Sequence, residues 1–227
     1  MGGDMNLADL TWPTVAADVL VVPLGSTEQH GPHLPLSTDT DIATALARRL
    51  VQRRQDCVLA PAVPYGASGE HAGFAGTLSI GHEALETLLV ELVRSATDTF
   101  AHVLLVNGHG GNVPTLAAAC ARLRDESRDV LVWSPKWGGD AHAGRTETSV
   151  MLALDPDRVG ESREAGATGN LIDLLPQLRR GGLRSVTENG ILGNPEGASA
   201  EEGADLLSEA VDDLENTLIS WLHVEPA

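Results

Sequence analysis

Short apolar runs alternate with longer amphipathic segments along this chain, and the alternation limits the folds available to it. The apolar runs predict strands at residues 19–24, 57–62, 103–107 and 130–133. The other segments predict helices at about residues 41–55, 82–101, 113–126 and 200–222. Strands that alternate with helices form parallel β-α-β units. The predicted fold class is therefore α/β, with residues 1–227 in a single layered domain whose mostly parallel sheet is flanked by helices.

The composition excludes several classes of function. The formal net charge of -17 argues against nucleic acid and anionic membrane surfaces as partners, because both need a basic protein face. An acidic substrate is not expected either, unless metal ions screen the site. Cys57 and Cys120 lie among apolar residues, as buried thiols do in a reducing compartment. With no apparent signal sequence or membrane-spanning run, we expect a cytoplasmic protein.

The polar loop after the first predicted strand carries the residue types of a metal site. It contains Glu28, His30, His33, Asp39 and Asp41. Carboxylate and imidazole ligands suit zinc, iron(II) or manganese. Glu28 and His30 are two residues apart, so an extended backbone points both side chains to the same side, and Asp39 can close the site. Ligands of open α/β sheets bind beyond the carboxyl ends of strands, which favours a metal site over a merely solvated loop.

The third predicted strand runs into a second polar loop, G-H-G-G-N at residues 108–112. His109 is the next candidate ligand, and its flanking glycines permit a sharp turn and the close approach of a metal or substrate. A phosphate-binding loop is the alternative. No lysine follows the glycines as in a P-loop, and the next strand ends without the acidic residue of a dinucleotide site. The loop therefore fits a metal site better.

Two further polar segments are candidates for the same site. Glu147 opens an apolar helical segment shortly after His142, and taken alone such a glutamate is more often a partner of the helix dipole. Glu70 and His71 lie in a Gly-rich segment, which is a weak indication by itself. His82 begins an H-E sequence that lacks the second histidine of the H-E-x-x-H zinc motif, so we predict a solvated helix face there.

Together these motifs resemble the creatininase (creatinine amidohydrolase) family. The resemblance rests on G-S-T-E-Q-H-G-P-H-L-P at 25–35, N-G-H-G-G-N at 107–112, H-A-G-R-T-E-T-S at 142–149 and G-I-L-G-N-P-E-G-A-S-A-E-E-G at 190–203. Within the family, the chain is most similar to the peptidases of the mycofactocin system. That similarity rests on Y-G-A-S-G-E-H at 65–71, G-F-A-G-T at 73–77 and G-G-D-A-H-A-G at 138–144. The resemblance implies a creatininase-like fold and a ring-like homo-oligomer.

The resemblance also implies a metal-dependent amide or peptide hydrolase with one or two divalent transition metals per chain, Fe²⁺, Zn²⁺ or Mn²⁺. The ligands that it carries over are Glu28, His30, Asp39 and His109, with Asp39 bridging if two metals bind. Creatininase proper has a glutamate two positions after the motif histidine, in N-G-H-Y-E-N, where this chain has Gly111. Either Glu147 supplies the missing carboxylate as a ligand, or one metal suffices.

Amide hydrolysis needs an activated water and a proton for the leaving nitrogen. A divalent ion with an open position lowers the pKa of bound water to about 7. His142 is the candidate catalytic proton donor, with Glu147 or Glu70 as the alternative catalytic acid–base group.

The candidate substrate-binding residues are His71, Gly110 and Gly111. The two glycines leave backbone room where creatininase carries bulk, which speaks against creatinine and for an extended peptide. The resemblance implies a modified precursor peptide as substrate, from which the modified C-terminal Val-Tyr remnant is released. One alternative is a creatininase-type hydrolase of a free cyclic amide or formamide. The other is a non-catalytic module whose metal is fully ligated.

Overall fold

The computed structural model describes residues 5–169 and 171–223, and a four-stranded sheet lies at their centre. Its order is β2-β1-β3-β4, and every pairing is parallel. The strands are β1 Val19–Leu24, β2 Cys57–Leu59, β3 His102–Asn107 and β4 Val130–Trp133. The predicted α/β class and parallel sheet are confirmed. β2 ends earlier than predicted, and Pro61 just beyond it has no N–H to donate to a ladder.

Six α-helices occur in the described residues: α1 Thr38–Arg53, α2 Gly81–Ala96, α3 Val113–Asp125, α4 Arg145–Leu154, α5 Leu171–Gly181 and α6 Ala200–Leu222. α1 begins three residues before its predicted start at 41, so Asp39 and Asp41 lie in its first turn and not in the loop. α5 was not predicted, because Pro176 in its interior is a residue that usually ends a helix.

Helices cover both faces of the sheet. On one face β1 contributes Val19 and Val21 to a core shared with α1, α4 and α6. On the other it contributes Leu20, Val22 and Leu24 to a core shared with α2 and α3. All of β1 is buried, as expected for a central parallel strand covered on both sides.

The two cysteines and the helices can be compared with the sequence predictions of buried thiols and of no membrane-spanning segment. Cys57 and Cys120 are buried free thiols, as predicted. Across the described residues, no helix combines the length and the apolar character needed to cross a membrane.

The carboxyl edge of the sheet brings the two polar loops together. Leu24 at the end of β1 is in register with Asn107 at the end of β3. The first turn of α1 fits against this edge because the next residue after each strand is glycine. A Cβ at Gly25 would lie 2.4 Å from the Cα of Thr40, and a Cβ at Gly108 would lie 2.4 Å from the carbonyl oxygen of Asp39. The glycines thus allow α1 to carry Asp39 into the space between the loops.

Candidate metal centre

Glu28 is a buried carboxylate without a hydrogen-bond donor. Its residue is 1% exposed, and neither carboxylate oxygen has a hydrogen-bond partner among the described residues. Histidine nitrogens surround it: Nε2 of His71 lies 3.3 Å from Oε1, Nε2 of His109 lies 3.3 Å from Oε2, and Nδ1 of His142 lies 3.9 Å from Oε1. A buried charge is costly unless it is paired or coordinates a metal. The position therefore suits a cation held between the carboxylate and the imidazoles.

Asp39 lies between two histidines at the start of α1. Its Oδ1 is 3.0 Å from Nε2 of His30, and its Oδ2 is 3.2 Å from Nδ1 of His109. Oδ2 also accepts a hydrogen bond from the hydroxyl of Ser26 at 2.6 Å. The N-terminus of a helix favours a negative charge, which further stabilises the carboxylate. Asp39 has the central position that a bridging ligand would need.

Three overlapping groups of side chains have ligand atoms close enough to hold an ion. Within each group these atoms lie within 4.8 Å of one another: Glu28, His30 and His142; Glu28, Asp39 and His109; His30, Asp39 and Glu147. The structure thus brings together five of the residues predicted as ligands, and it adds His142; the five are Glu28, His30, Asp39, His109 and Glu147. This mixed oxygen and nitrogen donor set fits one or two divalent transition metals. The individual ligand roles stay predictions.

The electrostatics of the cluster place protons on two of the histidines. Burial lowers the pKa of His30, but the charge and the hydrogen bond of Asp39 outweigh it and raise the pKa to about 10. The pKa of His109 is raised well above its usual range because Asp39 and Glu28 overcome the effect of burial in the same way. Without metal, both imidazoles therefore carry protons at neutral pH.

Filling both candidate ion positions with Zn²⁺ at pH 7 is expected to release at least two protons, one each from His30 and His109, since a ligating imidazole must be neutral. Both pKa values are raised, so the protons are bound below those values and lost as the pH rises through them. The apparent metal affinity should therefore increase from pH 6 towards the pKa of about 10 of His30. Titration calorimetry in buffers of different ionisation enthalpy measures the number released. Binding without proton release would contradict this charge distribution.

His142 and Glu147 flank the cluster from the α4 side. Burial and the nearby His30 keep the pKa of His142 well below its usual range, and its Nε2 donates to the carbonyl oxygen of Gln29 at 2.9 Å. Burial raises the pKa of Glu147 to about 7. Its Oε2 accepts from the backbone N–H of Ala143 at 2.5 Å, and Ala143 has a φ of 53°. A left-handed conformation is strained for alanine, and such strain concentrates at functional sites.

Gly111 and Glu70 compete for one space. A Cβ at Gly111 would lie 2.3 Å from Oε1 of Glu70 and 2.3 Å from Nε2 of His109. Oε1 of Glu70 itself lies 3.5 Å from that nitrogen, and the Glu70 side chain is 37% exposed. A side chain at residue 111 would therefore have to displace the carboxylate of Glu70.

Two residues of the first polar loop lie away from the cluster, and the expectation that they belong to its ligand set is wrong. Nε2 of His33 hydrogen-bonds with the hydroxyl of Thr148 at 2.9 Å. Asp41 pairs with Arg158 at 2.9 Å. Because α1 begins before Asp39, Asp41 is turned about 200° away around the helix axis.

The cluster forms the floor of a cavity of about 520 Å³. Glu28, Asp39, Glu70, His71, His109, His142 and Glu147 line it, together with Gly110 and Gly111. Further lining residues were not predicted for the site: His82, Pro114, Leu175, Leu178, Arg179, Leu183 and Leu192. His82 is exposed, as predicted, yet it faces this cavity, and its Nδ1 lies 2.8 Å from the hydroxyl of Thr115. Because α5 was not predicted, nothing in the sequence indicated that Leu175, Leu178 and Arg179 line the cavity.

Comparison with known proteins agrees with this geometry. The family model described as creatininase, creatinine amidohydrolase, matches residues 8–218. A mycofactocin precursor peptide peptidase from Mycobacterium tuberculosis is 51% identical over 232 residues, covering 97% of this chain and 92% of that protein.

Solved structures share the fold over nearly the whole chain. A manganese form of creatininase is 26% identical with a TM-score of 0.78, covering 95% of this chain and 98% of the other. A mutant creatininase of a Zn-Zn type is 26% identical with a TM-score of 0.77, covering 95% of this chain and 97% of the other. Solved creatininase structures with this fold thus include a manganese form and a zinc form.

Proposed function

This chain belongs to the creatininase family, and from that premise we propose that it is a metal-dependent peptidase that cleaves the modified mycofactocin precursor peptide just before its C-terminal Val-Tyr remnant. The family model is described as creatinine amidohydrolase, an activity that hydrolyses a C–N bond. The high identity to a mycofactocin precursor peptide peptidase over 97% of the chain supports the substrate.

The observation that carries the catalytic proposal is Glu28. Its two buried, unpartnered oxygens face three imidazoles at the floor of an open cavity. Glu28, Asp39 and His109 would hold one divalent ion, and His30, Asp39 and Glu147 would hold a second. Such an ion supplies Lewis-acid polarisation of a carbonyl oxygen and lowers the pKa of water. Fe²⁺, Zn²⁺ and Mn²⁺ all suit this donor set.

Three residues that line the cavity are candidates for proton transfer, Glu147 only where it does not hold an ion. The pKa of Glu147 near 7 matches the value at which a carboxyl can both accept and return a proton at neutral pH. Its Oε2 is held by the N–H of Ala143, which leaves Oε1 to face the cavity or an ion. His142 is neutral, so it would first take a proton at Nδ1 before passing one to a leaving nitrogen. His142, Glu147 and Glu70 remain our candidates for this transfer.

The cavity has room for a substrate larger than a small cyclic amide. Its volume of about 520 Å³ lies within the range of about 300–1,000 Å³ that is typical of ligand pockets. A Cβ at Gly110 would meet no atom within 4 Å, so the substrate can approach the backbone there. His71 and Gly111 complete this side of the proposed substrate site. A homo-oligomeric assembly and a cytoplasmic location stay predictions.

Mass spectrometry of the metal-loaded protein with the modified precursor tests the proposal. Release of the fragment derived from the Val-Tyr pair is the expected result, with creatinine left intact. Efficient opening of a free cyclic amide or formamide beside an inert modified precursor would transfer the assignment to a creatininase-type hydrolase. Inactivity towards all of these substrates with stoichiometric metal would favour a non-catalytic metal-binding module.

A further inference from the structure

The C-terminal half of α5 forms one wall of the cavity. Leu175, Leu178 and Arg179 line it, and their spacing of three and four residues places them on one face of the helix. Gly182 follows the helix at a φ of +65°, and its N–H donates to the carbonyl oxygen of Leu178 at 2.8 Å. A Cβ at Gly182 would lie 2.9 Å from the carbonyl oxygen of Glu70. The end of α5 is therefore packed closely against the turn that carries Glu70 and His71.

A second contact fixes the segment that follows α5. The guanidinium of Arg184 donates to the carbonyl oxygen of Gly73 at 2.5 Å and lies 5.0 Å from the centre of the Phe74 ring. A helix held at this end presents its side chains to the cavity in a defined arrangement. Such an arrangement lowers the entropy cost of recognising a ligand.

Arg179 is the one lysine or arginine among the described residues that line the cavity. Among the residues that the structure describes, Arg179 has no hydrogen-bond partner and no ion-pair partner. The deeper carboxylates, Glu28, Asp39 and Glu147, belong to the candidate metal cluster. A guanidinium pairs best with a planar carboxylate through two parallel hydrogen bonds. The two neighbouring leucines offer apolar surface beside that position.

We propose that α5 is a substrate-recognition helix, in which Arg179 binds a carboxylate of the peptide substrate while Leu175 and Leu178 contact an apolar side chain next to it. This inference rests on the proposed peptidase function. The net charge of -17 repels acidic peptides from most of the surface, so a local cation at the cavity wall would select for one acidic position. A small neutral cyclic amide has no carboxylate with which Arg179 could form such a pair.

Steady-state kinetics of the metal-loaded protein on the modified precursor give the first test. Arg179→Gln is expected to raise KM roughly tenfold with little change in kcat, because a hydrogen bond to a charged group is lost while the reacting groups stay in place. Arg179→Lys should retain part of the affinity. Arg180→Gln is the matched control, since Arg180 is the next residue of α5 and is exposed like Arg179, but does not line the cavity. A KM for Arg179→Gln within twofold of wild type, or equal to that of Arg180→Gln, would overturn the inference.

A binding measurement separates this inference from the proposed function, because it needs no turnover. The probes are the fluorescein-labelled unmodified precursor and a copy with every Asp and Glu changed to Asn and Gln, and fluorescence anisotropy gives their affinities. Wild type should bind the acidic probe roughly tenfold more tightly than the amide copy, and Arg179→Gln should bind both equally. Equal binding of the acidic probe by wild type and Arg179→Gln refutes the recognition role. If binding depends on Arg179 but the modified precursor is not cleaved, the peptidase assignment fails, and what remains is the binding of acidic peptides by Arg179.

Discussion

Replacing Asp39 by asparagine is expected to remove most of the bound metal and to lower activity by more than about 100-fold. Even the loss of an outer partner of a metal ligand costs about 10–100-fold in affinity or activity, and Asp39 belongs to two of the three candidate ligand groups. Asparagine has nearly the same shape and can still accept the hydrogen bond of Ser26. The fold should therefore persist, which circular dichroism and thermal melting would show. Elemental analysis gives the metal content.

Asp41→Asn is the matched control for Asp39→Asn. Asp41 lies in the same first turn of α1, so its substitution removes the same helix-dipole interaction. Its partners are Arg158 and Ser37 at the surface, where an ion pair contributes at most about 1 kcal/mol. Metal content and activity should stay near those of wild type. Equal losses in both variants would mean that the effect of Asp39 is structural and that the ligand assignment is wrong.

The sheet could be predicted from the sequence because its strands are buried on both faces. Strands of this kind read as continuous apolar runs such as V-L-V-V-P-L in β1, which need no knowledge of their neighbours. The helix boundaries depend on local contacts that a pattern does not contain. α1 starts at Thr38, whose N–H and hydroxyl both bind the carbonyl oxygen of Pro35. This start decides that Asp39 faces the cluster and Asp41 faces solvent.

The deep part of the site could also be predicted, because parallel strands deliver the loops after β1 and β3 to one edge of the sheet. Glu28 and His109, which lie 81 positions apart in the chain, meet there for that reason. The cavity wall formed by α5 could not be predicted in this way. Arg179 reaches the cavity through the anchoring of Gly182 on Glu70, a tertiary contact with no periodic signature in the sequence.

The glycine at position 111 affects which element can supply a carboxylate to a second ion. With Glu70 in the space beside residue 111, a carboxylate for a second ion has to come from another element. Glu147 is the candidate, since its carboxylate lies with His30 and Asp39 in one group of ligand atoms. If Glu147 is that ligand, the carboxylate for the second ion comes from the first turn of α4. The open space predicted at both glycines is therefore found only at Gly110, because Glu70 and His109 fill the space beside Gly111.

Glu147→Gln is therefore expected to lower metal content and activity in parallel. The neutral amide can still accept the N–H of Ala143 through its oxygen, so the backbone around α4 should be retained. Glu70→Gln is the comparison, because Glu70 lines the same cavity but belongs to none of the candidate ligand groups, and its metal content should stay that of wild type. Elemental analysis and turnover of the modified precursor, measured on the same samples, decide between the roles. If Glu147→Gln keeps its full metal content while activity falls, Glu147 transfers protons, and the second ion has no carboxylate from α4.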